Sequence, residues 1–454
     1  MLDLTQGNVA GRLLKFSMPF LLSTIIQAVI NLSDLLVISI FANDSASVAG
    51  VGISAQISYL IINAIVGLTA GASILISQHF GAKDYENMQN TINTMFSLLL
   101  VFATFISVIF FFTASPIIRA LQTPNEAYSE AKIYLQITML GSVFIFMYNG
   151  ISAVLRGLGD SIRPLIFVGV AAIINIGLDI LAVAVLNMTA MGVALATIIA
   201  QLISVLLIGI YLFKKKRKLN IKGYRFTLKI QKVKEILKIG VPTSIQNTIA
   251  SLSFLALTYI INITFQDNSV YALSAASIVF KVNSFAVLPV RSMNTTISAM
   301  VGQNKGAKDK KRTLSTFKYG LLFSIIFGII FFIITFFLAE NILKIFHLDN
   351  QTIDFGLPYL KTLAFDYLLL PFAVSQYGLV DGLGKTKVSM WINTISSILL
   401  RVPSAFLFAN IFGMGMTGIG LAIPLSSLFS GIVMFVYIKR KIWKKLKSSQ
   451  SSFA

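Results

Sequence analysis

The chain has 454 residues, of which 56% are hydrophobic and only 12% are charged, whereas a soluble globular protein is about one-quarter charged. So few charged residues cannot provide the polar surface that a water-soluble protein of this length needs. The composition therefore predicts a protein that is solvated largely by lipid. The net charge of +20 would suit a nucleic-acid binder, but the basic residues gather in short runs just after apolar spans, as in cytoplasmic loops of membrane proteins. We therefore expect the bilayer, and not nucleic acid, as the partner. The absence of cysteine excludes disulfides, thiolate catalysis and cysteine-containing metal sites.

Apolar stretches long enough to cross a bilayer as helices recur twelve times along the chain. In the first half they lie near residues 13–41, 47–78, 89–113, 127–156, 161–186 and 190–213. In the second half they lie near residues 236–265, 270–302, 312–338, 355–381, 386–409 and 415–438. The first span is long enough to remain as a helix and not be removed as a signal peptide. The predicted fold class is an all-α integral membrane protein with twelve transmembrane helices in two pseudo-symmetric six-helix lobes.

The basic loops predict orientation and domain organisation. Most Lys and Arg residues fall in alternate loops, namely 79–88, 157–163, 214–235, 303–312, 382–387 and the tail after 439. Because basic loops face the cytoplasm, we expect both termini there, in a bacterial or archaeal inner membrane. The predicted domains are an N-terminal lobe at 1–213, a basic cytoplasmic linker at 214–235 and a C-terminal lobe at 236–454 with a basic tail. We expect the protein to act as a monomer.

An internal repeat relates the two halves. The segment Gln78-His79-Phe80-Gly81-Ala82-Lys83-Asp84 recurs as Gln303-Asn304-Lys305-Gly306-Ala307-Lys308-Asp309, and Arg156-Gly157-Leu158-Gly159-Asp160 has its counterpart in Asp381-Gly382-Leu383-Gly384-Lys385. Six spans per half bring the second half in from the same side of the membrane as the first. The halves are therefore predicted to be parallel repeats with a binding cavity between them.

One segment resembles a phosphate-binding loop but fails its pattern. Between Gly378 and Gly384-Lys385-Thr386 lie five residues where the P-loop has four, and an apolar span precedes the segment in place of a strand. We interpret it as a tight turn between helices and expect no ATP and no other cofactor. No nucleophilic or paired acid–base arrangement indicates an enzyme.

Two acidic residues are predicted to lie within the membrane in the N-terminal half. Asp34 falls in the first span and Asp179 in the fifth, where Asn175 shares its helix face, and Thr197 on the sixth span could join them. A charge at mid-bilayer costs about 2.5–3.5 kcal/mol on insertion scales, so we expect each acid to have a functional or structural role. If the groups converge, the carboxylates cannot both ionise cheaply, and the pair could carry a proton or coordinate a hard cation such as Na⁺. The alternative is that each acid only bonds a neighbouring helix.

The C-terminal half has different buried charges. The repeat offset carries Asp34 to about Leu257 and Asp179 to about Ser404, so the acidic pair has no copy. Instead the spans contain Lys281, Arg291, Asp366 and Arg401. A structural ion pair between Asp366 and one of these bases is the simpler interpretation, and substrate contact or a conformational lock is the alternative.

These features resemble the multidrug and toxic compound extrusion (MATE) family, and within it the prokaryotic branch named after the DNA-damage-inducible protein F. The likeness covers essentially the whole chain and depends on the first span ending in Asn31-Leu32-Ser33-Asp34, the turn at 156–160, the Asn175-x-x-x-Asp179 face and Gly192-Val193-Ala194-Leu195-Ala196-Thr197. The resemblance implies a V-shaped fold of two six-helix lobes and export by alternating access, coupled to inward H⁺ or Na⁺ flow.

The resemblance assigns the cation site to Asp34, Asn175, Asp179 and Thr197, with Asn149 as a neighbour. Two positions depart from the family. Ile30 replaces an aromatic hydroxyl found near the first-span acid in some members, which weakens the expected hydrogen-bond network. Ser244-Ile245-Gln246-Asn247 stands where another branch has an acid on the seventh span, which argues against a second cation site in the C-terminal lobe.

The sequence therefore predicts a secondary active multidrug efflux transporter that exports small amphiphilic organic compounds against inward H⁺ or Na⁺. A flippase for lipid-linked oligosaccharides or lipids, from the same broader superfamily, is the alternative that the basic residues of the C-terminal half keep open.

Overall fold

The computed structural model describes residues 3–42, 45–121, 123–215, 222–346 and 349–443, which are almost entirely helical and contain no β-strand. The helices of the first half are α1 (Val9–Val37), α2 (Ser45–Gly81), α3 (Tyr85–Ala120), α4 (Asn125–Leu140), α5 (Ser142–Gly157), α6 (Ile162–Ile180) and α7 (Ala190–Lys215). Those of the second half are α8 (Ile230–Phe265), α9 (Ser269–Ala286), α10 (Leu288–Gly306), α11 (Lys310–Phe337), α12 (Ala339–Lys344), α13 (Asn350–Ala364), α14 (Asp366–Gly382), α15 (Thr386–Thr394), α16 (Val402–Phe406) and α17 (Gly415–Tyr437).

The number of predicted spans is confirmed. Among the described residues, ten helical stretches are long and apolar enough to cross a membrane, and two bent helix pairs bring the total to twelve. Helices suit this environment because the backbone N–H and C=O groups of a spanning helix form hydrogen bonds with each other. The hydrocarbon of a bilayer offers these groups no hydrogen-bond partner.

Four spans predicted as continuous consist of two α-helices each, and in the one near 386–409 the helices α15 and α16 are joined by a π-helical stretch at Ile395–Arg401. The span near 127–156 is α4 and α5, bent by 49° at Gly141, and the span near 355–381 is α13 and α14, bent by 43° at Phe365. The span near 270–302 is α9 and α10, which meet at Val287 with Pro289 in the first turn of α10, where a proline lacking its N–H is tolerated. Hydropathy alone does not reveal such breaks, because each of these spans stays predominantly apolar across its break.

The chain folds into two compact units. The described part of the first runs from Met18 to Ser244, and that of the second comprises Leu4–Ser17 and the chain from Ile245 onward. The start of α8, at Ile230, falls inside the segment 214–235 predicted as a linker, and residues 216–221 of that segment lie outside the described residues. Thus the first turns of α1 belong to the second unit and the first turns of α8 belong to the first unit.

The first unit is built around α2. This helix packs against α4 and α5, α6 packs against α7, and α3 packs against α4 and α5. A buried apolar cluster joins α2, α3 and α5 to the first turns of α8, and its members include Leu68, Ile76, Met95, Val154 and Ile239. In the second unit the largest buried apolar cluster joins α8, α9, α13 and α17.

The internal repeat is visible in the backbone. Lys83 and Lys308 have positive φ angles of 57° and 60°, which non-glycine residues rarely adopt. Each is followed by an aspartate, Asp84 or Asp309, whose carboxylate accepts a hydrogen bond from the backbone N–H three residues further on, at 3.1 and 2.8 Å. These caps begin α3 and α11 and satisfy N–H groups that the first helical turn leaves unpaired.

The segment that resembles a phosphate-binding loop is a helix end, as predicted. Gly384 has a φ of 79°, and its repeat partner Gly159 has a φ of 80°. Both glycines close a helix with backbone bonds to the preceding turn, since the Gly384 N–H donates to the Asp381 carbonyl at 2.7 Å and the Gly159 N–H to the Arg156 carbonyl at 3.0 Å. A left-handed glycine at this position is the usual way to end a helix.

Candidate cation site in the first unit

Two buried aspartates stand just before irregular turns of their helices. Asp34 lies near the end of α1, which continues as a π-helical turn at Ile38–Ala42, and Asp179 lies next to the end of α6, which continues as a π-helical turn at Leu181–Val185. Their exposed fractions are 7% and 0%. π-Helical turns are rare and occur frequently at functional sites, so the two acids share both burial and an uncommon backbone setting.

A hydrogen-bond network converges on one oxygen of Asp34. Its Oδ2 accepts from the Thr197 hydroxyl of α7 at 3.2 Å and from the Tyr134 hydroxyl of α4 at 3.3 Å. The Thr197 hydroxyl in turn accepts from Asn175 Nδ2 at 3.3 Å, and Asn175 Oδ1 accepts from the Ser33 hydroxyl at 3.4 Å. Side chains from α1, α4, α6 and α7 therefore meet at one point, and the distances are at the long end for hydrogen bonds.

The second carboxylate is close to the first but lacks donors. Asp179 interacts electrostatically with Asp34, and both of its oxygens are buried without a hydrogen-bond donor among the described residues. The Oδ1 atom of Asp34 is also without a donor there. Buried polar atoms are nearly always paired, and an unpaired one is a reason to look for an ion or a proton.

The structure thus brings together the four side chains that the sequence singled out: Asp34, Asn175, Asp179 and Thr197. Among the described residues Asn149 forms no hydrogen bond to these four side chains; its Nδ2 donates to the Ile145 carbonyl of its own helix at 2.8 Å. The role of these residues in cation binding stays a prediction.

Tyr134 is the member that sequence reasoning missed. Ile30 was expected to leave the network weaker for want of an aromatic hydroxyl, but α4 supplies one from Tyr134, which is only 5% exposed. No local signal marks this residue, since a tyrosine in a span more often packs or lies at the membrane interface. Only the packing of α4 against α7 brings its hydroxyl to Asp34.

The chemistry of the cluster is that of an oxygen-lined cation site. Two carboxylates, a threonine and a tyrosine hydroxyl and an amide provide oxygen atoms, and oxygen is the ligand that hard cations prefer. Two adjacent carboxylates in a medium of low dielectric constant cannot both remain ionised without a compensating positive charge. A proton on one of them, or a hard cation between them, would supply that charge.

Charged residues of the second unit

Arg401 is held by hydroxyl groups of neighbouring helices. It ends a π-helical turn at Ile395–Arg401, and its Nε donates to the Ser426 hydroxyl at 2.9 Å and an Nη to the Ser253 hydroxyl at 3.4 Å. The guanidinium also lies over the Phe254 ring, 5.6 Å from its centroid, a favourable arrangement for a cation in an apolar setting. Arg401 therefore has defined partners within this unit.

Asp366 faces this arginine without touching it. The carboxyl is 4% exposed and interacts with Ser427 and, electrostatically, with Arg401. No contact ion pair forms, because within the described residues no basic nitrogen lies within 4.0 Å of its oxygens, and its Oδ1 has no donor there. The simple ion pair expected from sequence is thus replaced by an arrangement in which serines contact each charge.

The other two bases are at the surface. Lys281 on α9 and Arg291 on α10 are exposed. Arg401 interacts electrostatically with both Asp366 and Arg291, but the group has no pair of carboxylates like that of the N-terminal half. The repeat counterparts of Asp34 and Asp179, Leu257 and Ser404, are buried without a charge.

Proteins of a known family match this chain over nearly all of its length. The MatE family model matches residues 19–181 and 242–407, one stretch in each half. The probable multidrug resistance protein YpnP of Bacillus subtilis is 32% identical over 445 residues, which cover 98% of each chain. The probable multidrug resistance protein NorM of Thermotoga maritima is 26% identical over 446 residues, covering 96% of this chain and 94% of that protein.

The fold also matches solved structures. A structure described as the outward-facing conformation of a multidrug resistance MATE family transporter of the MOP superfamily superposes with a TM-score of 0.91 over 98% of both chains at 22% identity. At this identity the likeness concerns the fold alone.

Proposed function

The chain belongs to the MatE family of membrane transporters, and we propose that it is a secondary active exporter of small amphiphilic organic compounds that uses inward H⁺ or Na⁺ flow. Its relatives named as multidrug resistance proteins support the substrate class, and the buried acids of the first unit support the coupling. Export would proceed by alternating access. The proposed location is a bacterial or archaeal inner membrane with both termini in the cytoplasm, an orientation that the basic loops support, and the proposed working unit is the monomer.

The observation that carries the coupling is the carboxylate pair. Asp34 and Asp179 interact in a buried position, and Asp179 has no donor to either oxygen among the described residues. The positive charge that such a pair needs must therefore come from a proton or a small cation. Because that ion is exchangeable, its arrival and departure would alter the network of Thr197, Tyr134 and Asn175 and so bias one conformation over another.

The set of side chains is compatible with either ion. A proton would bridge or neutralise the two carboxylates, and Na⁺ would take carboxylate, hydroxyl and amide oxygens. Asp34 and Asp179 would hold the ion, Thr197 and Tyr134 would orient the Asp34 carboxylate through their hydroxyl groups, and Asn175 would orient Thr197. The resident ion is the driving substrate of the cycle.

The test is efflux of a fluorescent organic cation from proteoliposomes, driven separately by a pH gradient and by a Na⁺ gradient. We expect Asp34→Asn and Asp179→Asn to abolish gradient-driven efflux while the purified proteins remain folded and still bind the dye. The matched control is Asp354→Asn, which removes an exposed acid of α13 and should leave efflux intact. Undiminished gradient-driven efflux in both site variants would refute the proposed coupling.

The same proteoliposomes distinguish the exporter hypothesis from the flippase hypothesis. If the protein translocates a lipid-linked oligosaccharide and no dye moves under either gradient, the flippase hypothesis replaces the exporter. The gradient that supports efflux in the wild type identifies the coupling ion.

A further inference from the structure

An apolar groove lies in the first unit, outside the acidic cluster. It has a volume of about 240 Å³ and is lined by Ala64, Ile65 and Leu68 of α2, Phe102 of α3, and Leu237 and Val241 of α8. Ser244 completes the wall, but its hydroxyl donates to the Ala64 carbonyl at 2.5 Å and so is already bonded. The groove therefore offers carbon surface and no free polar group, which suits a hydrocarbon chain.

Two lysines of α8 lie beside this groove. Lys234 and Lys238 are exposed on α8, and their spacing relative to Leu237 and Val241 places all four on one side of the helix. Within the described residues neither lysine forms an ion pair, whereas their neighbour Lys232 pairs with Glu235 at 2.8 Å. The groove thus opens beside two uncompensated positive charges.

The segment leading into α8, residues 222–229, marks the level of the membrane surface. It is fixed to α3, because the Lys222 N–H donates to Gln89 Oε1 at 2.7 Å and the Thr227 N–H to the Ser97 hydroxyl at 3.0 Å. Phe226, in this segment, is 62% exposed beside the exposed Arg225. Large apolar side chains interleaved with basic ones at the end of a span are typical of the interface between headgroups and acyl chains.

We propose that this groove and the two lysines form a binding site for a phospholipid with an anionic headgroup. One acyl chain lies in the groove against Leu68, Phe102 and Val241, and the phosphate and its headgroup lie against Lys234 and Lys238. Lys234 lies one turn beyond the apolar wall, toward the basic end of α8, and Lys238 lies at the edge of the wall beside Leu237. Basic pockets beside transmembrane helices are known to select anionic headgroups.

The test uses the full-length protein in mixed phosphatidylglycerol and phosphatidylcholine, with retained lipids counted by native mass spectrometry after detergent exchange. The wild type should prefer phosphatidylglycerol. One basic residue strengthens attraction to anionic lipid by about fivefold, so Lys234→Gln with Lys238→Gln should lower the preference by about 25-fold. A matched double variant, Lys311→Gln with Lys318→Gln, removes two exposed lysines of α11 in the second unit and should lower the preference less, because these lysines lie outside the unit that contains the groove.

A second variant tests the groove without touching the charge. Ala64→Leu fills the groove with an apolar side chain, and it should lower retention of both lipids while leaving their ratio as in the wild type. The proposal fails if the Lys234/Lys238 variant keeps the wild-type preference, or if the Lys311/Lys318 variant loses as much. It also fails if Ala64→Leu retains as much lipid as the wild type.

Discussion

In the acidic network the Thr197 hydroxyl links Asp34 to Asn175. Removing this hydroxyl is the sharpest test of whether these hydrogen bonds hold Asp34 in place. The hydroxyl donates to Asp34 Oδ2 at 3.2 Å and accepts from Asn175 Nδ2 at 3.3 Å. Thr197→Val preserves shape but deletes both bonds. A hydrogen bond to a charged group contributes about 1.5–3 kcal/mol and a neutral one about 1 kcal/mol. Because both distances are long, we take the lower values and expect a loss of about 2.5 kcal/mol in the free energy of unfolding.

For a unit of this size, 1 kcal/mol corresponds to about 2–4 °C in Tm. We therefore expect Thr197→Val to lower the Tm by about 5–10 °C, measured by fluorescence-detected size-exclusion after heating in detergent. Thr197→Ser keeps the hydroxyl and should recover most of the loss, which separates the bonds from the methyl group. Gradient-driven efflux should fall in the valine variant and persist in the serine variant. If valine shifts the Tm by less than about 1 °C and efflux is unaffected, the hydroxyl does not hold Asp34 and the network is wrong.

Two further predictions concern charges outside that network. Arg401→Gln leaves the Asp366 carboxyl without its facing cation, and because unmatched buried charge is costly we expect a destabilisation. It should be smaller than the loss of about 3 kcal/mol from a broken contact ion pair, since the two groups do not touch. Adding Asp366→Asn should restore much of it, and equal Tm values for the single and double variants would show that the two charges do not interact. Asp84→Ala removes the N-cap of α3 and should cost about 1 kcal/mol. Hydrogen bonds from Asn87 lower the pKa of Asp84, so its contribution is present at neutral pH and is lost as the pH falls through that lowered pKa. The Tm difference between wild type and Asp84→Ala should therefore shrink as the pH falls below the ordinary carboxyl pKa of about 4.

Much of the architecture was predictable because it depends on local chemistry. Span length follows from apolar runs, and the paired helix starts after Asp84 and Asp309 follow from an aspartate that caps a helix. The positive φ of Lys83 and Lys308 does not follow from the residue type, because lysine rarely adopts it. Asn175 and Asp179 lie on the same face of their helix however the helices pack against each other, because they are four residues apart. These features need no knowledge of which helix packs against which.

The remaining features depend on packing between distant segments. Tyr134 reaches Asp34 because α4 packs on α7, and α4 is separated from α5 by the bend at Gly141. A Cβ at position 141 would meet the side chain of Ile198, which explains why glycine occupies the bend. The absence of a contact between Asp366 and Arg401 likewise follows from the hydroxyl groups that α8 and α17 bring to the guanidinium, and composition gives no hint of them.

The two units treat buried negative charge differently, and this difference bears on the proposed coupling. In the second unit Asp366 faces Arg401, a cation that is part of the chain and cannot dissociate. In the first unit no basic side chain among the described residues forms an ion pair with Asp34 or Asp179. Arg401 is covalently part of the chain, so the charge beside Asp366 does not depend on an ion gradient. A bound H⁺ or Na⁺ can leave, so the charge beside Asp34 and Asp179 would depend on the gradient of that ion. Under the proposed function, Arg401→Gln should therefore reduce stability yet leave the ion dependence of the remaining efflux unchanged, and a changed ion dependence would assign coupling to the second unit as well.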